Sequence, residues 1–75
     1  MLYYKIDVVQ ELKLRGFTTA RIRKENLLSE STLTKIRNDI MVSSDNLGRL
    51  CVMLRCDIGD IVESIPTDAE KIKYF

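Results

Sequence analysis

The sequence contains no histidine and no tryptophan, and only one proline, three glycines and two cysteines in 75 residues. Without an imidazole there is no His general base and no Cys/His zinc site, which removes serine-type triads and Cys/His pairs together. One proline and three glycines are too few for a barrel or sandwich, whose many tight turns draw on both. No apolar stretch exceeds a few residues, so nothing in the chain is long enough to span a bilayer. Residues Met1 to Val9 lack the basic stretch and long apolar run of a secretion signal, and the expected setting is the reducing cytoplasm. Cys51 and Cys56 are five apart, about 140° around a helix, which disfavours a bridge within one helix. Both are expected as small apolar side chains at or near the core.

What is present describes one small globular domain over residues 1–75. Hydrophobic residues make up 45% of the chain and charged ones 31%, which separates it from disordered tails. A chain this short buries only roughly 60% of its unfolded surface, so the core is one thin layer of side chains. The net charge of +1 conceals an asymmetry. Residues 1–37 carry eight basic groups (Lys5, Lys13, Arg15, Arg21, Arg23, Lys24, Lys35, Arg37) and four acidic ones (Asp7, Glu11, Glu25, Glu30), a net of +4. Residues 38–75 carry four basic and seven acidic groups, a net of −3. A basic front half points to an anionic partner approached from one side.

Cap residues and apolar spacing divide the chain into helices. Asp7, followed three residues later by Gln10, opens a first helix over about 7–15 with Val8, Val9 and Leu12 on one stripe, and Gly16 closes it. Thr18 caps a second over about 19–26, whose basic face is Arg21, Arg23 and Lys24 and whose best core candidates are Ala20 and Ile22. Ser29 caps a third over about 30–38, with Leu33 and Ile36 inward and Ser31, Thr32 and Lys35 outward. Ser43 or Ser44 opens a fourth running to about Arg55, where Leu47, Leu50, Cys51 and Leu54 make the cleanest amphipathic pattern. Gly48 inside that helix costs about 1 kcal/mol relative to Ala, a cost that close packing would explain. Asp57 to Ile65 reads as a short fifth helix, with Asp57 and Asp60 placed for capping rather than acid/base chemistry, and Pro66 ends it. The tail carries apolar residues at 72, 74 and 75 and is a candidate strand pairing with residues 2–6. The fold class is therefore all-α, a five-helix domain with short terminal strands as an option.

Helices two and three, joined by about three residues, must cross steeply, and the third then projects at one edge. Its outward residues, Glu30, Ser31, Thr32, Thr34, Lys35, Arg37 and Asn38, are small and polar or charged. Small residues at a helix start let the backbone enter a DNA major groove, and hydroxyls and amines reach base edges and phosphates. Any helical hairpin with a solvated polar face would share this pattern.

The stretch Thr18-Thr19-Ala20-Arg21-Ile22-Arg23-Lys24-Glu25-Asn26-Leu27-Leu28-Ser29-Glu30-Ser31-Thr32-Leu33-Thr34-Lys35-Ile36-Arg37-Asn38 resembles the helix-turn-helix of Cro and the lambda-type repressors, the XRE family. Leu47-Gly48-Arg49-Leu50-Cys51 and Leu54 to Glu63 resemble the segment that follows it in short bacterial members. The resemblance covers about residues 7–66 and implies a lambda-repressor-like, single-domain transcriptional regulator. Many members have Gly where this chain has Leu27, and Ala where it has Arg23. Either substitution is expected to alter the angle or packing of the two helices. Family position puts Thr19, Glu30, Ser31, Thr32 and Lys35 at groove contacts, and Thr18, Arg37 and Asn38 at phosphate contacts.

Individual roles keep their alternatives. Lys35 suits guanine O6 or N7, while Glu30 either accepts from cytosine N4 or stabilises the helix dipole. Ser31 and Thr32 touch bases or phosphates, or else cap and solvate the first turn. Arg21, Arg23 and Lys24 clamp phosphates, or one of them pairs with Glu25 or a neighbouring acid. Tyr3, Tyr4, Tyr74 and Phe75 suit core cover or a dimer contact better than base stacking. The expectation is a sequence-specific DNA-binding regulator, in particular a repressor, cytoplasmic and nucleoid-associated. It would bind double-stranded DNA at a palindromic operator as a homodimer, without cofactor, metal, membrane contact or catalytic activity. The alternative is a protein-interaction module, an anti-repressor or adaptor, that kept the fold and lost DNA.

Overall fold

Short polar residues start the helices by satisfying backbone N–H groups that have no partner within the helix. In the computed structural model, which describes all 75 residues, the Asp7 carboxylate accepts from Gln10 N at 3.2 Å and opens α1, Val8–Leu14. Thr18 opens α2, Thr19–Lys24, and Ser29 opens α3, Glu30–Arg37, through the same hydroxyl to third-residue bond at 3.2 Å. Ser43, not Ser44, opens α4, Ser44–Leu54. Asp60 accepts from Asp57 N at 3.0 Å at the start of α5, Ile58–Ile61, so this acid pair caps, as expected from its spacing.

The ends of α1 to α4 share one device. At the end of α1 the N–H groups of Gly16 and Phe17 reach back to Lys13 O and Leu12 O. Asn26 and Leu27 repeat this on α2, Asp39 and Ile40 on α3, and Arg55 and Cys56 on α4. Each ending needs one residue in the left-handed region: Gly16 at φ 86°, Asn26 at 54°, Asp39 at 57° and Arg55 at 54°. The reversal at Arg55 also changes the relation of the two cysteines. The helix stops at Leu54, so Cys56 folds back over the last turn and its N–H bonds Cys51 O at 3.0 Å. The helical separation of about 140° therefore does not apply to this pair. Both thiols are free and half-buried against the core, and burial foremost, then the neighbouring Cys51, pushes the Cys56 thiol up.

The core is a layer of twelve apolar side chains drawn from α1 (Val8, Leu12), α2 (Ile22), α3 (Leu33, Ile36), α4 (Leu47, Leu50, Leu54) and their connections, with Ile61 and Val62 closing one end. Leu50 and Ile61 are wholly inaccessible, each stabilising the fold by roughly 1.5–3 kcal/mol through burial. Ala20, a core candidate by pattern, is exposed, and Ile22 is the only buried side chain of α2. Gly48 is also exposed, and apart from its own helix backbone and chain neighbours nothing lies within 4 Å of where its Cβ would stand, so close packing within the chain does not account for it.

The terminal segments differ from the sequence expectation. Residues 2–4 do form a strand, β1, but its antiparallel partner is β2, Val62–Ser64, in the register Leu2↔Ser64, Tyr3↔Glu63, Tyr4↔Val62. The fifth helix accordingly ends at Ile61 rather than Ile65, where the chain becomes extended to meet β1. The tail is a sixth helix, α6, Asp68–Tyr74, and not a strand. Its start is a full capping box: Glu70 N donates to Thr67 Oγ1 at 3.1 Å and Thr67 N to Glu70 Oε1 at 3.0 Å. Tyr4 links the sheet to the body by donating its hydroxyl to Ile40 O at 2.9 Å.

Candidate nucleic-acid interface

The α2–α3 connection is tight because the two helix-terminal devices abut. Asn26 and Leu27 end α2, Leu28 is buried, and Ser29 begins α3. The left-handed residue is Asn26, a type that tolerates φ above zero through its short polar side chain. Leu27, where many XRE members have Gly, needs no such conformation and packs half-buried against the core. This departure therefore carries no backbone strain.

Along α3, Thr32, Leu33 and Ile36 are buried and every other residue is exposed. Glu30, Ser31, Thr34, Lys35, Arg37 and Asn38 then occupy one outward arc of about 160°. Thr32 was expected to face out, and its burial, at 5% exposure, corrects that. Its Oγ1 lies 2.8 Å from Ser29 Oγ and accepts from Asn46 Nδ2 at 3.2 Å. Asn46 Nδ2 also reaches Ser43 Oγ at 3.1 Å. The capping serines of α3 and α4 are thus joined through Thr32 and Asn46, which sets the start of α3 against α4. Thr32 braces the start of α3 and does not share its outward face.

The cations separate into engaged and free groups. Arg21 pairs with Glu25 at 2.6 Å, donates to Gly16 O at 3.3 Å and lies over the Phe17 ring at 4.7 Å. It clamps α2 to the end of α1. Arg23 Nε bonds Glu30 Oε1 at 2.5 Å and its Nη2 bonds Oε2 at 3.3 Å, so one forked contact spans from α2 to the first residue of α3. Lys24, Lys35 and Arg37 have no ion-pair partner and are exposed. Thr18 is exposed with its hydroxyl serving as the α2 cap, Thr19 is half-buried, and Asn38 is exposed at the end of α3.

Of the residues singled out by sequence, α3 thus brings Glu30, Ser31, Lys35, Arg37 and Asn38 onto one surface, and Arg23 joins it from α2 through Glu30, while Thr18 and Lys24 are exposed on α2 and its cap. Thr34, read as outward in the sequence but given no contact role there, lies on the same arc, with Oγ1 donating to Glu30 O at 2.9 Å. One contributor was not singled out by sequence. Asn46 braces Thr32 from α4, a contact between residues fourteen apart that no local pattern announces. No group of three His, Cys, Asp or Glu side chains is placed to hold a metal ion, and no helix is long and apolar enough to cross a membrane.

Residues 9–67 match the family model of the Cro/C1-type HTH DNA-binding domain, nearly the span of the XRE resemblance, about 7–66. No curated protein and no solved structure matches the chain.

Proposed function

We propose that this chain, which belongs to the Cro/C1-type helix-turn-helix family of DNA-binding domains, is a sequence-specific transcriptional repressor acting as a homodimer on a palindromic operator. The observation that carries this reading is the outward face of α3, where Lys35 and Arg37 are exposed and free of acidic partners beside Ser31 and Asn38. α3 enters the major groove, with Lys35 directed at guanine and Arg37 and Asn38 at phosphates. α2 crosses the backbone, where Lys24 and Thr18 contact phosphates. Thr19 and Arg21 stand further back, the one half-buried and the other held by Glu25. A domain this small covers few base pairs, so specificity comes from two copies with recognition helices about 34 Å apart. The site of action is the nucleoid of the cytoplasm.

The test is binding to a duplex from upstream of the protein's own gene, against a scrambled duplex, at two salt concentrations. Preference for the native duplex, with affinity falling steeply as salt rises, is expected. Lys35→Ala and Arg37→Ala should each weaken binding without unfolding the domain, and Arg37→Ala should reduce the salt slope by about 1. A folded protein that binds neither duplex would instead favour a protein-interaction module.

A further inference from the structure

α4 has two faces. Leu47, Leu50 and Leu54 are buried, while Asp45, Gly48, Arg49, Val52 and Arg55 are exposed, Val52 at 78%. The outer face is apolar at its centre: Gly48 and Val52 lie beside half-buried Met53 and Leu27 in one shallow hollow, and Val52 and Met53 continue toward Phe17 in the next. Two features of this face are unexplained by the isolated chain. A helix-interior glycine costs about 1 kcal/mol relative to Ala, and at Gly48 nothing of this chain comes near enough to require it. Val52, a β-branched apolar residue, stands almost fully in solvent one turn further along the same stripe.

We propose that this face of α4 is where a second copy of the chain docks, α4 against α4 in antiparallel orientation about a twofold axis. The proposal rests on the homodimer part of the function above and assigns its interface. Gly48 leaves room for close approach of another helix, and Val52 of the second copy is the side chain that fills it. An isologous contact must be complementary to itself. An antiparallel crossing that lays Val52 of one copy over Gly48 of the other sets Asp45 of one copy opposite Arg55 of the other, twice by symmetry. Neither Asp45 nor Arg55 has an ion-pair partner in its own chain. A parallel crossing would set Asp45 against Asp45 and Arg55 against Arg55, so the charges select the antiparallel form. One helix pair with its flanks is at the small end of interface sizes, so the contact is weak in free solution. It strengthens when two copies occupy adjacent half-sites, where each raises the effective concentration of the other.

Sedimentation equilibrium of the full chain, from micromolar to millimolar concentration, tests this without DNA. The wild type should approach the mass of two chains as concentration rises. Val52→Arg and Gly48→Gln should each weaken association at least tenfold. Gly48→Gln should leave the melting temperature unchanged or higher, because the added side chain meets open space in the monomer; this separates a lost contact from a lost fold. Asp45→Arg and Arg55→Asp should each weaken association, and the two combined should restore it. A wild type monomeric throughout, or association that Val52→Arg and Gly48→Gln leave untouched, overturns the proposal. Binding of a single half-site duplex is measured separately, so absence of DNA binding would count against the proposed function and not against this interface.

Discussion

Arg23 on α2 grips Glu30, the first residue of α3, through two guanidinium–carboxylate hydrogen bonds, so the start of α3 is bridged to the helix before it. The pair is exposed on both sides, its side chains 48% and 64% accessible. Such a bridge contributes only about 0–1 kcal/mol to stability. Its larger effect is electrostatic, because it cancels a cation that α2 would otherwise offer to phosphate. Glu30→Gln should therefore leave the denaturation midpoint nearly unchanged while increasing the salt dependence of DNA affinity by about one phosphate contact, as Arg23 is released. If the carboxylate also accepts from cytosine N4, the same variant loses preference for cytosine at one operator position. Binding titrations at several salt concentrations, on duplexes varied at that position, read both effects.

On the proposed function, buried Thr32 should affect DNA binding only through the position of α3. Thr32→Val removes the hydroxyl that Asn46 donates to, while Asn46 keeps Ser43. The expected cost is about 1 kcal/mol, measured by chemical denaturation. Base preference, compared at equal folded fraction, should not change. A shifted preference would show that the hydroxyl reaches the groove.

The turn between α2 and α3 depends on Asn26 rather than on its neighbour. Asn26→Val places a β-branched residue at φ 54° and should destabilise the domain by about 1–2 kcal/mol. Asn26→Gly should be neutral to within roughly 0.5 kcal/mol, since glycine adopts this region freely but loses more entropy on folding. Leu27→Gly, which restores the residue common among XRE members, should cost more than about 1 kcal/mol because it strips a half-buried side chain from the core. Melting curves of the three variants decide the order.

Acid should release α6 before it affects the core. The Glu70 carboxyl lies below the usual range, chiefly because Thr67 N–H donates to it and next because the Met1 amino group does. A carboxyl held down in the folded state stabilises above its ordinary value of 4.5, and that contribution is lost as pH falls through the depressed folded value. α6 buries no side chain, so its loss should leave the twelve-residue core intact. Carboxyl NMR titration should find Glu70 below its ordinary value of 4.5, with helical signals of residues 68–74 fading together with it. Glu70→Gln should abolish that acid step.

Most helix starts could be read along the chain because a cap is a local event. Asp7, Thr18, Ser29 and Ser43 each bond an N–H three residues on, and so sequence distance and spatial distance coincide. The same logic applied to Thr67 and Glu70 marks the start of α6, but the apolar residues at 72, 74 and 75 suggested a strand instead. Thr32 also left a signal: it stands four residues before Ile36, on the buried stripe. A hydroxyl there is satisfied by Ser29 nearby in sequence and by Asn46, whose contact required α4 to be in place.

Composition, cap residues and helical periodicity were thus sufficient for an all-α domain with a helix-turn-helix and a polar outward α3, because each of these is settled within about one helical turn. Packing settled what spans longer separations: β1 took Val62–Ser64 as its partner, Arg23 took Glu30, Thr32 turned inward, and Gly48 was left open on the outer face of α4. The physical reason is that these outcomes depend on which of several chemically suitable groups is brought nearest, and that is decided when the helices close around Leu50 and Ile61.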